Sequence, residues 1–291
     1  LLYRALIVQS ARWPRWALAL LDAYRTEKEK NRVQRQRIKA AEKRARAKGT
    51  PTIPGSIAPV DVSREQELER ELHNVVRRLG FGIPDLGRAT SNTDYRTTLI
   101  TSGLRRLEAK ACDILQVPVP AAVRAAGNDY DVLVEVTLSY AAQPRRTRRT
   151  TKRYLATWLD WISNKPGETL EQFRARALKP SDSDEDADGA VGPNKDTIPW
   201  ALGTQAAYGS VRDVTRGNGT VQKDWAVMKL HQLPENFCVA VRGHKGWSRD
   251  PNSQARYALA VSFDVLSQEI SIYEEVRAEV ELAEAEVDVR V

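Results

Sequence analysis

The chain has 291 residues, and 42% of them are hydrophobic, which is enough apolar material for one large or two ordinary folded cores. Composition therefore excludes an intrinsically disordered protein. The net charge of +7 is local, because eleven basic and three acidic residues lie between Arg25 and Lys48. The remainder is close to neutral, which excludes a generally cationic surface that coats nucleic acid.

A helix is predicted at the beginning of the chain. Leu2, Ala5, Leu6 and Gln9 recur at helical spacing, and Pro14 ends or kinks the helix before the same pattern resumes over 16–24. Arginines interrupt this stretch far short of the ~20 apolar residues that a membrane span requires. The pattern thus predicts a core helix, and we expect no membrane partner.

The basic run at 25–48 predicts a second helix. It is rich in alanine, lysine, arginine and glutamate, which favour helices, and its apolar residues form only a thin stripe. We expect a protruding, solvated helix. Gly49-Thr50-Pro51 and Pro54-Gly55-Ser56 then predict a connector.

A third helix is predicted from Ser63, which forms a capping-box pattern with Gln66. Its apolar face consists of residues at helical spacing: Leu68, Leu72, Val75 and Leu79. Gly80 supplies the C-terminal cap. In the following Gly80-Phe81-Gly82, the glycines allow a tight turn and a close backbone approach that a side chain would block.

After about residue 90 the hydrophobic period changes to two, which indicates strands. Alternation is clear in four segments, at 132–140, 237–241, 257–265 and 270–272. It predicts half-buried strands of an antiparallel β-sandwich, interrupted by one helix with Leu170, Phe173 and Ala177 on one face. The predicted class is α+β. The acidic segment 181–189 predicts a loop, and residues 274–291 a short helix or a tail.

Cysteine and histidine spacing predicts neither a metal site nor a cofactor. Cys112 and Cys238 have no zinc-type spacing and are too few for a secreted disulfide scaffold, so a reduced, cytoplasmic setting is favoured. His73, His231 and His244 are scattered and form no nucleophile-activating pattern.

Two sets of residues resemble one family. The segment 77–85, with Gly80, Phe81, Gly82, Pro84 and Asp85, read together with 2–14, resembles the closing stretch of a subtilisin-like serine peptidase domain. Segments of the second half resemble one group of large bacterial subtilisin-like peptidases: 133–140, 145–149, 154–161, 200–203, 209–210, 223–225, 246–247, 256–262 and 272–273.

The resemblance implies a domain organisation. Residues 1–92 would be the helical remnant of a subtilisin-like α/β catalytic domain, with a basic helical insert at 25–48. Residues 93–291 would be a jelly-roll-like β-sandwich domain with the acidic loop at 181–189. The implied activity is peptide-bond hydrolysis by an aspartate, histidine and serine triad.

None of these catalytic positions can be carried onto this chain. Ser10 lies within a predicted helix without the flanking residues of the nucleophile motif, so we expect no catalytic residue and no activity of this chain alone. The implied partners are protein or peptide substrates, bound through the missing catalytic half, and an ATPase.

Two other interpretations stay open. The basic helix 25–48 could bind nucleic acid, although it contains no aromatic residue for base stacking, which makes that partner the less favoured one. The sandwich could instead bind a ligand or partner unrelated to proteolysis. Its tryptophans would then form an exposed platform rather than core anchors: Trp158, Trp161, Trp200, Trp225 and Trp247.

Overall fold

The computed structural model describes residues 1–47, 60–119, 129–145, 155–178, 198–203, 216, 219–234, 236–248, 250, 252–267 and 271–277. The predicted connector at 49–56 and the predicted acidic loop at 181–189 lie outside these ranges. None of the described helices combines the length and apolar character that a bilayer crossing needs.

The described helices are α1 (Leu2–Ser10), α2 (Arg15–Ala47), α3 (Ser63–Leu79), α4 (Leu86–Thr90) and α5 (Leu170–Leu178). The strands are β1 (Arg96–Ile100), β2 (Arg105–Glu108), β3 (Cys112–Val117), β4 (Asp131–Ala141), β5 (Thr157–Ser163), β6 (Val221–Lys229), β7 (Phe237–Lys245) and β8 (Gln254–Val265). A 3-10 turn covers Leu230–Gln232.

The strands form two antiparallel sheets, as the sequence predicts for an α+β protein. The larger sheet has the order β1-β8-β4-β6, with β2 also paired to β8, and the smaller has the order β3-β7-β5. Residues from both sheets form one apolar core. In it, Phe237 of β7 meets Phe263 of β8 edge to face, with ring centroids 5.6 Å apart.

Helix α1 covers the other face of the larger sheet, and this corrects the prediction of a half-buried strand at 132–140. The alternating pattern predicts that Glu135 and Ser139 face solvent. The whole of 132–140 is buried instead, including these two residues. The helix meets them with polar groups: Gln9 Nε2 donates to the carbonyl oxygen of Glu135 at 3.0 Å, and Arg4 Nε donates to Ser139 Oγ at 2.8 Å.

A second apolar cluster joins α2 and α3. On α3 the predicted face is confirmed, since Leu68, Leu72 and Val75 are buried, and they pack among Ala17, Leu21 and Tyr24 of α2. The same cluster includes Ala201 and Leu202 from the second half of the chain. Trp13 and Trp225 extend it to β6, with ring centroids 5.2 Å apart.

The structure differs from the sequence prediction at two local positions. The N-cap of α3 is Val62 without a side-chain cap bond, because the Asp61 carboxylate accepts from Ser63 N at 2.9 Å, so the capping box is wrong. The described part of the strand predicted at 270–272 is also not a strand. Ile272 is buried just before a helical turn at 273–277.

Helix α5 is confirmed and lies on the outer face of the smaller sheet. Phe173 and Ala177 pack against Cys238 and Ala240 of β7, whereas Leu170 is exposed. Cys112 and Cys238 are free thiols. The predicted boundary between residues 92 and 93 stays a prediction.

Candidate functional site

The glycine turn after α3 brings two distant backbone segments together. Gly80 has a φ of 55° and caps α3, and its amide donates to Val76 O. Gly82 has a φ of 113°, and a Cβ built on it would lie 2.3 Å from the carbonyl carbon of Arg12. The predicted tight turn and close backbone approach are both present, the latter at Gly82.

Two backbone hydrogen bonds fix this approach. Arg12 N donates to Ile83 O at 3.0 Å, and Ile83 N donates to Arg12 O at 2.9 Å, an isolated antiparallel bridge. Phe81 packs on the edge of the α2 and α3 cluster, while Pro84 is exposed. The turn therefore ties the end of α1 to the segment that enters α4.

Asp85 then starts α4 and orients it. Its carboxylate accepts from the backbone amide of Arg88 at 2.8 Å, the usual role of an aspartate at an N-cap. Its own amide donates to Ser10 Oγ at 3.2 Å. These bonds direct the Arg88 side chain at the larger sheet, where Arg88 Nε also donates to Ser10 O at 3.3 Å.

A cluster of four charged residues, which we call the buried charge cluster, lies between α1, α4 and the sheet. Its members are Arg88 of α4, Glu135 of β4, Lys223 of β6 and Asp264 of β8. Arg88 reaches Glu135 Oε2 at 2.5 Å and Asp264 Oδ2 at 2.9 Å, and Lys223 Nζ reaches Glu135 Oε1 at 2.9 Å. Arg12 joins at the rim through Asp264 at 2.5 Å.

Lys223 also holds the end of α1 directly. Its amine donates to the carbonyl oxygens of Gln9 at 2.9 Å and Ala11 at 2.5 Å, which a helix C-terminus leaves without partners. Burial lowers the pKa of Lys223, and the neighbouring Glu135 carboxylate acts in the opposite direction. The amine thus stabilises α1 from within the sheet, because two carbonyls and a carboxylate converge on it.

The described contacts of Ser10 join α1 to the segment that enters α4. Its hydroxyl donates to Ile7 O at 2.8 Å and accepts from Asp85 N. That Ser10 is not catalytic stays a prediction. No described group of three or more His, Cys, Asp or Glu side chains is arranged to hold a metal ion. The ion pairs of the buried charge cluster join α4 to three strands of the larger sheet.

Two further polar clusters lie in the sheets, one on the smaller sheet and one at β6 of the larger sheet. On the outer face of the smaller sheet, Asp160 accepts from Arg242 at 2.9 Å and lies 2.8 Å from His244 Nε2, whose ring stacks on Trp158 at 3.9 Å between centroids. Burial would raise the pKa of Asp160, but the hydrogen bonds from His244 and Arg242 outweigh it and lower the pKa to about 2.

The second cluster surrounds Asp224, which is fully buried. Its carboxylate accepts from Leu202 N at 2.8 Å, from Gly203 N at 2.7 Å and from Arg216 Nη1 at 3.0 Å. The Arg216 guanidinium lies 3.5 Å from the centroid of the Trp161 ring. This arrangement anchors the segment 198–203 to β6.

Four of the five tryptophans are core anchors or pack at the edge of a core, and the ring centroid of Trp247 lies 5.5 Å from the Arg145 guanidinium. Trp161 is fully buried, and the other four are partly buried: Trp158, Trp200, Trp225 and Trp247. Trp161 and Trp200 meet edge to face at 5.0 Å. The described tryptophans of the sheets thus form no exposed platform.

Sequence reasoning singled out the glycine turn but missed the buried charge cluster. Glu135 and Lys223 stand in segments that carry the family resemblance, yet nothing in the pattern shows that they pair. The one sequence signal for this pair is that each of two long strands contains a charged residue. Charged residues are rarely buried unless they are paired, so two such residues in strands can indicate a buried ion pair.

Comparison with known proteins gives no family. No protein-family model matches the chain, and no curated protein is similar to it. Among solved structures, tomato aspermy virus determined by X-ray crystallography matches with 11% identity and a TM-score of 0.26, over 70% of this chain and 97% of that one. A score this low carries no argument about fold or function.

Proposed function

We propose that this chain is the C-terminal portion of a subtilisin-like serine endopeptidase. It supplies the closing segment of the catalytic domain and an accessory β domain, while the aspartate, histidine and serine of the triad belong to sequence outside residues 1–291. Hydrolysis of protein or peptide substrates is then a property of the whole protein. A cytoplasmic location and an ATPase partner are further parts of the proposal.

The observation that carries the proposal is the apolar outer face of α1. Towards the larger sheet the helix buries Ala5 and Gln9, and Leu2 and Leu6 at the adjoining helical positions are half-buried. Its outer face presents Tyr3 and Ile7, which are 82% and 52% exposed. A helix at a solvent boundary carries polar residues on its outer face instead.

The exposed apolar surface continues beyond α1. Leu86 of α4 is 80% exposed and Ile83 of the glycine turn 60%. Exposed large apolar side chains on neighbouring elements indicate a surface that another structure covers. In subtilisin-like peptidases the helix matching α1 covers the parallel sheet of the catalytic domain, so an apolar outer surface on α1 supports the proposal.

The glycine turn gives a second line of support. In the family, a Gly-x-Gly-hydrophobic turn finishes the catalytic domain. Here Gly80-Phe81-Gly82-Ile83 makes a tight turn against the chain that follows α1. Such close backbone contact requires glycine at position 82, so the motif has a geometric reason in this chain.

The strand order supports a jelly-roll for the β domain. The first strand region, β1 and β2, pairs with the last strand, β8, and the larger sheet continues through β4 to β6. The intervening strands β3, β7 and β5 form the facing sheet. Pairing of first with last strands and alternation between two sheets are what two Greek keys produce.

Capture of the native protein tests the proposal. An antibody raised against residues 1–291 would isolate the protein from its source cells, and a fluorophosphonate probe would be applied before mass spectrometry. We expect one labelled serine, located outside residues 1–291, and casein cleavage that the probe abolishes. This chain expressed alone should take no label. Absence of a labelled serine in the native protein, or label on Ser10, would contradict the proposal.

Variants of the apolar surface test, independently of serine labelling, whether another part of the full-length protein covers α1. Tyr3→Asp with Ile7→Asp in the native full-length protein should lower peptidase activity, because charges would enter the covered surface. The matched control is Leu104→Asp with Leu178→Asp, since these leucines are 50% and 52% exposed elsewhere. Equal activity of the two double variants would show that α1 has no cover.

A further inference from the structure

The structure divides the basic run into two parts. In the first part, cations are engaged by neighbouring carboxylates: along α2, Lys30 pairs with Glu27 at 3.0 Å and Arg32 with Glu29 at 2.5 Å, and Arg35 pairs with Glu65 of α3 at 3.7 Å. The sequence shows eleven similar charges, and only the structure separates the paired ones from the others.

The second part of α2 is a cationic arm, which we define as residues 36–47. Over about 18 Å of helix beyond Arg35, no ion pair or hydrogen bond between described residues engages four exposed cations: Arg37, Lys39, Lys43 and Arg44. The one acidic residue in this arm is Glu42. The arm is therefore a dense array of positive charge.

Helical geometry sorts the arm into an inner line, an outer side and two flanks. At about 100° per residue, Ile38, Ala41 and Ala45 form one line, and all three are half-buried, so this line is the inner one. Gln36, Ala40 and Lys43 lie roughly opposite, and all three are exposed. The outer side of the arm thus carries one cation between two neutral side chains.

The other three exposed cations lie on both flanks of this outer side. Arg37 and Arg44, seven residues apart, share one flank, and Lys39 lies on the other. The two flanks are separated by roughly 140° to 160° around the axis. A helix of this kind can present Lys43 to a surface while cations reach out on either side.

We propose that the cationic arm docks in the major groove of double-stranded DNA. A groove about 12 Å wide admits an α-helix, and its two rims are rows of phosphates that flanking cations can contact together. The outer side faces the groove floor, where the Lys43 amine can contact base-edge acceptors beside Gln36 and Ala40. A membrane surface fits less well, because an interfacial helix needs bulky apolar residues where this arm has Gln36, Ala40 and Lys43.

Fluorescence anisotropy with a labelled 20-base-pair duplex tests this inference on the full 291-residue chain. The arm variant carries Arg37→Gln, Lys39→Gln, Lys43→Gln and Arg44→Gln. The control carries four exposed changes elsewhere with the same loss of charge: Arg70→Gln, Arg77→Gln, Arg106→Gln and Arg174→Gln. Circular dichroism verifies that helix content is kept, since glutamine favours helices about as well as lysine and arginine.

Phosphate contacts make the expected result quantitative. Four contacts predict that the affinity of the unmodified chain falls about 100-fold between 50 and 200 mM salt. The control should keep this slope, and the arm variant should lose most of it. Duplex RNA of the same sequence should bind at least about tenfold more weakly, because its major groove is too narrow for a helix.

Three results would overturn the inference. The first is equal salt slopes for the arm variant and the control. The second is equal affinity for duplex DNA and duplex RNA. The third is equally strong binding of poly-glutamate, which would make the arm a contact for acidic polypeptides. All three can be read without measuring proteolysis, so they leave the proposed peptidase function untouched.

Discussion

Lys223 and Glu135 form an ion pair of 2.9 Å on neighbouring strands, and their side chains are only 1% and 2% exposed. The pair lies directly beneath α1, whose C-terminal carbonyls also contact the lysine amine. Burying two charges is unfavourable unless both are paired and hydrogen-bonded, and here both conditions are met. The stability of the contact between α1 and the sheet therefore depends on this pair.

Replacement of one partner should be strongly destabilising. Lys223→Met leaves Glu135 with less compensation and two helix carbonyls without donors, so we expect a loss of about 3 to 5 kcal/mol in the free energy of unfolding. Urea denaturation measures it. The matched control is Lys229→Met on the same strand, which removes a solvent-exposed pair with Asp131 and should change stability little. Equal effects would show that the buried pair is not structurally important.

The glycine turn predicts that alanine is tolerated less well at position 82 than at another glycine with a positive φ. Gly82→Ala places a Cβ against the Arg12 carbonyl at a φ of 113°, so strain and clash add to about 3 kcal/mol or more. Gly103→Ala is the control, because Gly103 also has a positive φ, 65°, but open space around it. That change should lower the free energy of unfolding by only about 1 to 2 kcal/mol. Similar losses of unfolding free energy for the two variants would show that the close approach to Arg12 does not destabilise Gly82→Ala.

The Asp160 cluster predicts an acid dependence of stability. The pKa of Asp160 is lowered from 3.8 to about 2, so its contribution to stability is present above about pH 4 and is lost as the pH falls towards 2. Asp160→Asn should therefore be less stable than the unmodified chain by about 2 kcal/mol at pH 6. The difference should shrink between pH 4 and pH 2. Urea denaturation across this range provides the measurement, and a constant difference would contradict the assignment.

The two thiols predict slow labelling of the folded chain. Burial raises the pKa of Cys112 and of Cys238 to about 11, and the thiolate is the reactive form. At pH 8 both should react with Ellman's reagent about 100-fold more slowly than in the urea-unfolded chain. Cys112→Ser and Cys238→Ser assign the two rates. A thiol that reacts at the unfolded rate would show that the outer face of the smaller sheet opens.

The sequence predicts those helices and strands in which hydrophobic residues recur at a regular spacing over several turns or strand positions. Helices α1, α3 and α5 and strands β4, β7 and β8 are confirmed, because apolar residues at a fixed spacing are the main signal of a buried face. Strand β6 was missed, and the reason is physical. Its interior carries Lys223 and Asp224, which are buried through ion pairs, so two core positions look like surface positions in the sequence.

Of the candidate site, the sequence predicts only the glycine turn, whose shape depends on local backbone geometry. The requirement for glycine at position 82 follows from local sequence, because a turn needs freedom that only glycine has. The buried charge cluster joins residues far apart: Arg88 meets Glu135 across 47 positions and Asp264 across 176. Periodicity describes one segment at a time, so it cannot show which charges will face each other.

The position of α1 on the larger sheet has a consequence for folding during translation. Gln9 contacts Ser262, which is made 253 residues later, and the strand that carries Ser262 is also the last to enter the larger sheet. Helix α1 therefore leaves the ribosome long before the strand on which it packs has been made. Such a high separation between contacting residues slows folding. Newly made chains should then expose the apolar side chains of α1 to chaperones until β8 has been synthesised.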